Sequence, residues 1–434
     1  MSAAAQPAPR PDEPPDGAGW RAFLSRQPVL DGGRRVTGYR ISYASAEVEA
    51  AGAAPGAGAL AGAAAAPGAG ALTGARAATR LFGDILTVVG LEELVGDALA
   101  HLPVTPGLLL TLGAPPVRPD QVVLRVAHEY AVDPELRPIL DSLAGRGYAL
   151  SLYDLPGPQF APELLSTFGM IELDFAAWGE AELGVALGAV AAARATALAV
   201  GLRDEAEFAR AGELGFSLFA GPFFSSPRTT AVRDVPVAGL STLASVARMQ
   251  GAGATVEELE AVIDRDLGLS VKLLRYINSA YFGMRSKVTS IRQAVMMLGA
   301  RGVTRWAMMV ALTGGTEAPV ELSVMALTRG RMCELLAAGR SDVAPDEMFM
   351  IGLLSLADAL LDTPLDRVLQ ELPLAEHVEA ALLERAGPAG EILDAAMSYE
   401  IGSFSADSVQ AHSGNVAAAY LDALRWARDT VQDL

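Results

Sequence analysis

The chain is constrained most by an alternation. From Gly107 onward, short apolar runs of strand length take turns with stretches of helical periodicity. Gly107–Leu112, Val122–Val126, Tyr148–Tyr153, Met170–Asp174, Ala197–Val200 and Ser217–Phe219 read as strands, and Pro134–Ala144, Glu180–Arg194 and Glu205–Leu214 as helices. Two further strands stand ahead of them, Phe23–Leu30 and Val36–Ile41, joined by the tight turn Asp31-Gly32-Gly33, with a helix over Leu81–Val95. Repetition of this kind calls for a parallel sheet covered by helices, because each connection carries the chain back along the outside. So many units within about 210 residues predict a closed β/α barrel of the TIM type.

After Pro227 the alternation stops and helical patterns take over. Thr255-Val256-Glu257-Glu258 has the form of a capping box, followed by an apolar face at Val256, Leu259, Val262 and Ile263. A second stripe runs through Val271, Leu274 and Ile277, and a third helix starts at Ser290 with Ile291, Val295 and Leu298 inward. Gly299 and Gly302 are expected to supply the turn into a fourth. Helical faces continue over Leu322–Ala338, Glu347–Leu361, from Pro364, and over Glu376–Arg385, and Ser413–Asp433 closes the chain with Val416, Tyr420, Leu424 and Ala427 on one side. The expected organisation is a Pro-rich disordered tail over 1–19, a barrel over 20–230 with a flexible Ala/Gly insertion at 50–77, and an all-helical domain over 231–434.

The segment NSAYFG at Asn278–Gly283, with SIRQAVMMLG at Ser290–Gly299 and GLLSLADALLDTPLDRVLQELPL from Gly352, resembles the HDOD domain, a bacterial helical signalling module. That module is related to phosphohydrolases that hold metal with a His-Asp pair. The matching positions here are Ser355 and Leu356, and neither side chain is an effective ligand for a divalent ion at neutral pH. The first half is similar to the EAL domain, a barrel that in its active form hydrolyses cyclic di-GMP. That resemblance rests on QPVLDGGRRVTGYRI at Gln27–Ile41, SLYDLPG at Ser151–Gly157, ELD at Glu172–Asp174 and LGFSLFAGPFFSSP at Leu214–Pro227.

Active EAL domains bind two divalent cations through carboxylates and an Asn at strand ends. By resemblance, Arg40, Thr111, Arg125, Tyr153 and Val200 stand at acidic or amide positions of that pattern, and Glu172 stands where a Lys is expected. Asp154 and Asp174 are kept, and Gln27 is retained as a possible ligand contact, while Ala44 stands where the family has an Arg. Exchanging two carboxylates for two guanidiniums moves the local charge by roughly four units, and each such contact is worth about 4 kcal/mol at intermediate dielectric. The expectation is a mouth that repels Mg²⁺, with Arg40 and Arg125 paired to Asp154 or Asp174.

The 33 basic and 51 acidic groups leave a net charge of −18, which argues against general affinity for nucleic acid or anionic lipid. Within that acidic chain no Asp or Glu occurs between Leu267 and Thr316, while Lys272, Arg275, Arg285, Lys287, Arg292, Arg301 and Arg305 do. Lys272, Arg275, Arg292, Arg301, Arg305 and the adjacent Trp306 therefore form a local positive patch, read first as an ordinary solvated face or one docked on the acidic barrel and next as a candidate surface for an acidic partner. His101, His128, His377 and His412 lack metal-ligand spacing and are expected at exposed or loop positions, and the lone Cys333 is expected to be a buried thiol. No run is long and apolar enough to span a bilayer, and the start has no signal-peptide pattern. Together these readings describe a cytoplasmic, non-catalytic signalling scaffold that needs no cofactor, works on unidentified protein partners and could dimerise. Alternatives are a cyclic di-GMP receptor that binds without cleavage and a weak cyclic di-GMP phosphodiesterase.

Overall fold

A computed structural model describes residues 22–45, 90–158, 162–225, 263, 267–279, 282, 287–313, 319–372, 374–401 and 415–433. The tail, the Ala/Gly insertion, the capping box at Thr255 and His412 lie outside the described residues. Eight strands close into a barrel in chain order: β1 (Ala22–Asp31), β2 (Val36–Ser45), β3 (Leu99–Pro103), β4 (Val122–Ala127), β5 (Ala149–Tyr153), β6 (Met170–Asp174), β7 (Thr196–Val200) and β8 (Leu218–Phe219). β1 is antiparallel to both its neighbours, β2 and β8, and the other pairs are parallel. Around them run α1 (Leu91–Val95), α2 (Pro106–Leu112), α3 (His128–Ala131), α4 (Arg137–Gly145), α5 (Pro162–Leu165), α6 (Glu180–Ala192) and α7 (Glu205–Leu214).

One strand departs from its expected place. Gly107–Leu112 belongs to helix α2, and the strand is Leu99–Pro103. The start signal is explicit: the Thr105 hydroxyl accepts from the Leu108 amide at 3.3 Å and Pro106 occupies the first helical turn. An apolar run of this length has no period of its own to separate strand from helix, so the cap decides.

The described remainder is helical: α8 (Leu267–Ile277), α9 (Ile291–Thr313), α10 (Val320–Ala337), α11 (Pro345–Leu354), α12 (Ala357–Leu361), α13 (Leu365–Gln370), α14 (Glu376–Glu384), α15 (Gly387–Glu400) and α16 (Asn415–Asp433). α8 buries Leu273, Tyr276 and Ile277 and leaves Val271 49% exposed, so its inner face is rotated from the expected stripe. Gly299, at φ 70°, breaks α9, whereas Gly302 sits inside the helix beyond the break. The expected single helix over Glu347–Leu361 is interrupted at Ser355-Leu356, and α15 is an element the sequence reading did not name. α16 buries Val416, Tyr420, Leu424 and Ala427 as its periodicity predicts.

The two halves meet through the outer face of the β1–β2 hairpin. Arg26 on β1 reaches Glu321 at the start of α10 at 3.1 Å, and the Tyr39 hydroxyl on β2 donates to the same carboxylate at 2.6 Å. The Arg26 and Glu321 side chains are only 4% and 6% exposed, and a second Arg26 nitrogen donates to the Leu94 carbonyl at 2.9 Å. Arg425 of α16 pairs with Glu93 at 2.5 Å, and Arg428 donates to the Glu92 and Glu93 carbonyls.

Candidate functional site

Strand alternation sends every second residue of the hairpin into the barrel, so Gln27 and Arg40 point inward while Arg26 and Tyr39 point out. Opposite them Arg125 on β4 and Glu172 on β6 are buried. Arg125 grips Glu172 with two parallel bonds, Nε to Oε1 at 2.7 Å and Nη2 to Oε2 at 2.8 Å. Arg40 approaches Oε2 at 3.3 Å and donates to the Gln27 side-chain oxygen at 3.0 Å. Ser151 on β5 donates to Oε1 at 3.1 Å, and the Tyr153 ring lies under the Arg125 guanidinium, 4.6 Å from its carbon. The ion network expected at this mouth is present, but its anion is Glu172. Asp154 and Asp174 stay at the exposed rim, where Asp174 caps the amides of Ala176 and Ala177.

Charges in the network shift one another. Burial alone would raise the Glu172 carboxyl, but the guanidiniums of Arg125 and Arg40 hold it down at about 2. Burial and the neighbouring Arg125 bring Arg40 down to about 10. His101, on β3 in register with Arg40, is 1% exposed, a correction to its expected loop position; burial depresses it to about 4, so it is neutral. Its closeness explains Gly38, where an added Cβ would lie 2.7 Å from the imidazole Nε2. His101 and Ser151 were not singled out as site residues, and the one legible hint was a polar ring inside the apolar pentapeptide LAHLP. Two other placements differ in kind: Thr111 is exposed on α2, away from any strand end, and the β3 residue in register with Arg125 is Pro103. Val200 ends β7 in register with Asp174.

A metal pair would need several anionic oxygens converging on a common point. Here the most buried carboxylate has both oxygens on arginines, and among the described residues no three His, Cys, Asp or Glu side chains cluster closely enough to hold an ion. The donor set does not fit the two cations that the barrel resemblance implies.

The two residues set by resemblance at a His-Asp pair, Ser355 and Leu356, lie inside the helical half. Ser355 is buried at the end of α11, donating to the Gly352 carbonyl at 2.7 Å and accepting from Arg329 at 2.9 Å, and Leu356 is 2% exposed. The same guanidinium binds Glu400 of α15 at 2.6 and 3.0 Å. Cys333 is fully buried, and burial pushes its thiol up to about 12. His128 is half-buried at the start of α3, and His377, exposed on α14, pairs with Glu347 at 2.9 Å.

The basic patch does not assemble. Trp306 is wholly buried, and Arg305 lies over the Phe349 ring at 3.7 Å with both terminal nitrogens on Glu334. Arg301 is exposed and 3.6 Å from Asp346, while Arg275 donates to the Gln432 carbonyl. Lys272 is half-buried and Arg292 is exposed, each with its own interactions, and Arg285 lies outside the described residues. A run without acids in the sequence was answered by acids brought in from α10 and α11.

Comparison with known proteins gives relatives along the whole chain. The HDOD domain model matches residues 241–377. The chain is 26% identical over 421 residues to the uncharacterised protein YuxH of Bacillus subtilis, covering 94% of this chain and 98% of the relative. It is 26% identical over 437 residues to the cyclic di-GMP phosphodiesterase CdgJ of Vibrio cholerae, covering 97% and 96%. Among solved structures, BlrP1 of Klebsiella pneumoniae in a manganese and cyclic di-GMP complex aligns with a TM-score of 0.37 at 20% identity, over 47% of this chain and about half, 55%, of that one. A standalone EAL protein of Vibrio cholerae O395 aligns with a TM-score of 0.34 at 13% identity, over 46% and 89%.

Proposed function

Starting from a chain that carries an HDOD domain at residues 241–377 behind a closed eight-stranded barrel, we propose that it is a non-catalytic signalling scaffold that acts through protein contacts. The observation that carries this reading is the Arg125–Glu172–Arg40 network. Where the EAL resemblance calls for metal-binding oxygens, two guanidiniums share one buried carboxylate, and a divalent cation arriving there would meet two fixed positive charges. A relative named as a phosphodiesterase argues the other way, but at 26% identity the few residues that set metal binding are free to differ. The helical half supports the same reading, since Arg329 fills the space beside Ser355 with a cation already paired to Glu400.

What remains for such a barrel is to present surfaces and to hold the helical domain, which the buried Arg26–Glu321–Tyr39 contact does. The protein would work in the cytoplasm, in keeping with a single cysteine that is buried and protonated. Among the described residues no single helix is long and apolar enough to cross a membrane.

The test is direct. Purified full-length chain is assayed for cyclic di-GMP turnover in Mg²⁺ and Mn²⁺, with CdgJ as the active control, and for Mn²⁺ binding by calorimetry. No turnover and no saturable Mn²⁺ binding are expected. Hydrolysis that a chelator abolishes would end the proposal. Tight nucleotide binding without turnover would replace it with a receptor.

A further inference from the structure

The seam between the halves holds a feature that the scaffold reading does not use. A cleft of about 680 Å³ opens between the β1–β2 turn, the start of α10 and the end of α16, and its walls include Arg34, Arg35, Val36, Val320, Glu321 and Arg428. Arg26 lies at its floor. Its volume falls in the range of small-molecule sites, roughly 300–1,000 Å³. In a protein of net charge −18 its lining carries four arginines and one carboxylate, Glu321, with Glu205 and Asp31 reaching two of those arginines from outside the lining.

The four arginines are not equivalent. Arg26 is consumed by Glu321 and the Leu94 carbonyl, and Arg34 by Glu205 and the face of Phe208. Glu321, held by Arg26 and Tyr39, is thereby neutralised and would not repel an anion. Arg35 and Arg428 are left. The Arg35 side chain is 85% exposed and pairs with Asp31 at 3.4 Å through Nε, and among the described residues no other carboxylate pairs with it. Arg428 spends one terminal nitrogen on two backbone carbonyls and meets no carboxylate among the described residues. The first sits on the barrel and the second on the last helix, so the two face the cleft from opposite domains.

We propose that this seam cleft binds a compact polyphosphate or phosphate ester, gripped by Arg35 from the barrel and Arg428 from the helical domain. Planar guanidiniums match phosphate oxygens bidentately, and a ligand bearing at least two anionic groups can engage both walls at once. Occupancy then ties one domain to the other, giving the scaffold a small-molecule input independent of the barrel mouth.

Inorganic pyrophosphate is the probe, titrated calorimetrically into the full chain at an ionic strength held constant with KCl. Saturable one-site binding is expected, and Arg35→Gln and Arg428→Gln are each expected to weaken it at least tenfold. Arg210→Gln, which removes surface pairs with Glu180 and Glu213 and no residue of the cleft lining, should leave the affinity unchanged. Arg428→Gln also removes contacts to α1, so the exposed Arg35→Gln decides the matter. Binding no stronger than the KCl control, or an Arg35→Gln variant that binds as tightly as the parent, overturns the site whether or not the barrel proves catalytic.

Discussion

Replacing Glu172 by Gln removes the single negative charge that the buried Arg125 and the half-buried Arg40 share, while keeping shape and one hydrogen-bond acceptor. Two routes give the magnitude. The carboxyl is held at about 2 against an ordinary 4.5, and at about 1.4 kcal/mol per pH unit the protonated form is disfavoured by about 3 kcal/mol. Independently, removing one partner of a buried ion pair costs about 3–5 kcal/mol, because the remaining charge stays desolvated. Both apply here, since the Glu172 side chain is 1% exposed and that of Arg125 3%. A loss near 3 kcal/mol should lower the barrel's melting temperature by roughly 6–12 °C. Because a two-domain chain need not unfold in one step, the assay is amide hydrogen exchange of peptides covering β4 and β6, read against a peptide from α14 in the same sample. Protection should fall in the strands and hold in the helix. The triple variant Arg40→Met, Arg125→Met, Glu172→Leu should recover most of the loss, as apolar replacement of a whole buried network often does. Unchanged exchange in Glu172→Gln would show that the arginines find other partners and that the network is not what closes the mouth.

Other consequences follow from the same contacts. His101 titrates at about 4 in the fold and near 6.5 unfolded; a depressed value means its contribution is present above pH 6.5 and is lost as pH falls toward 4, up to about 3 kcal/mol. Urea midpoints between pH 7 and 4 should therefore fall more steeply for the parent than for His101→Gln. Glu321→Ala strands Arg26 in the seam and should cost about 3–5 kcal/mol, measured as faster proteolytic separation of the two halves; unchanged cleavage would mean the seam is held elsewhere. Gly352→Ala would place a Cβ 2.7 Å from the Arg329 carbonyl, and thermal melts should show about 1–3 kcal/mol lost with α10 and α11 forced apart.

Most strands were legible because a buried parallel strand announces itself locally, as Leu150–Tyr153 and Ile171–Leu173 do, with apolar residues bounded by turn signals. The failure at Gly107–Leu112 has a local cause too, a Thr-Pro helix start that outweighed an apolar run equally fit for either structure. With it went the assignment of Thr111, because a site position is inherited only as far as the strand register holds. Arg40, Arg125 and Glu172 could be singled out from the motifs, but their pairing could not. Asp154 and Asp174 were the expected partners, and Glu172 won because its side chain points inward on β6 at the level of both arginines.

The sequence by itself determined the two fold classes and the apolar face of the last helix, since periodicity and side-chain chemistry are properties of short segments. Only the tertiary structure decided which charges meet. Within the cationic run from Leu267 to Thr316, Arg305 and Arg301 meet Glu334 and Asp346 from other helices, and Arg26 and Arg40, two hairpin residues on opposite faces, end in different domains' networks. The physical reason is that electrostatic energy depends on distance and burial, and both are set by elements separated by tens to hundreds of residues in the chain.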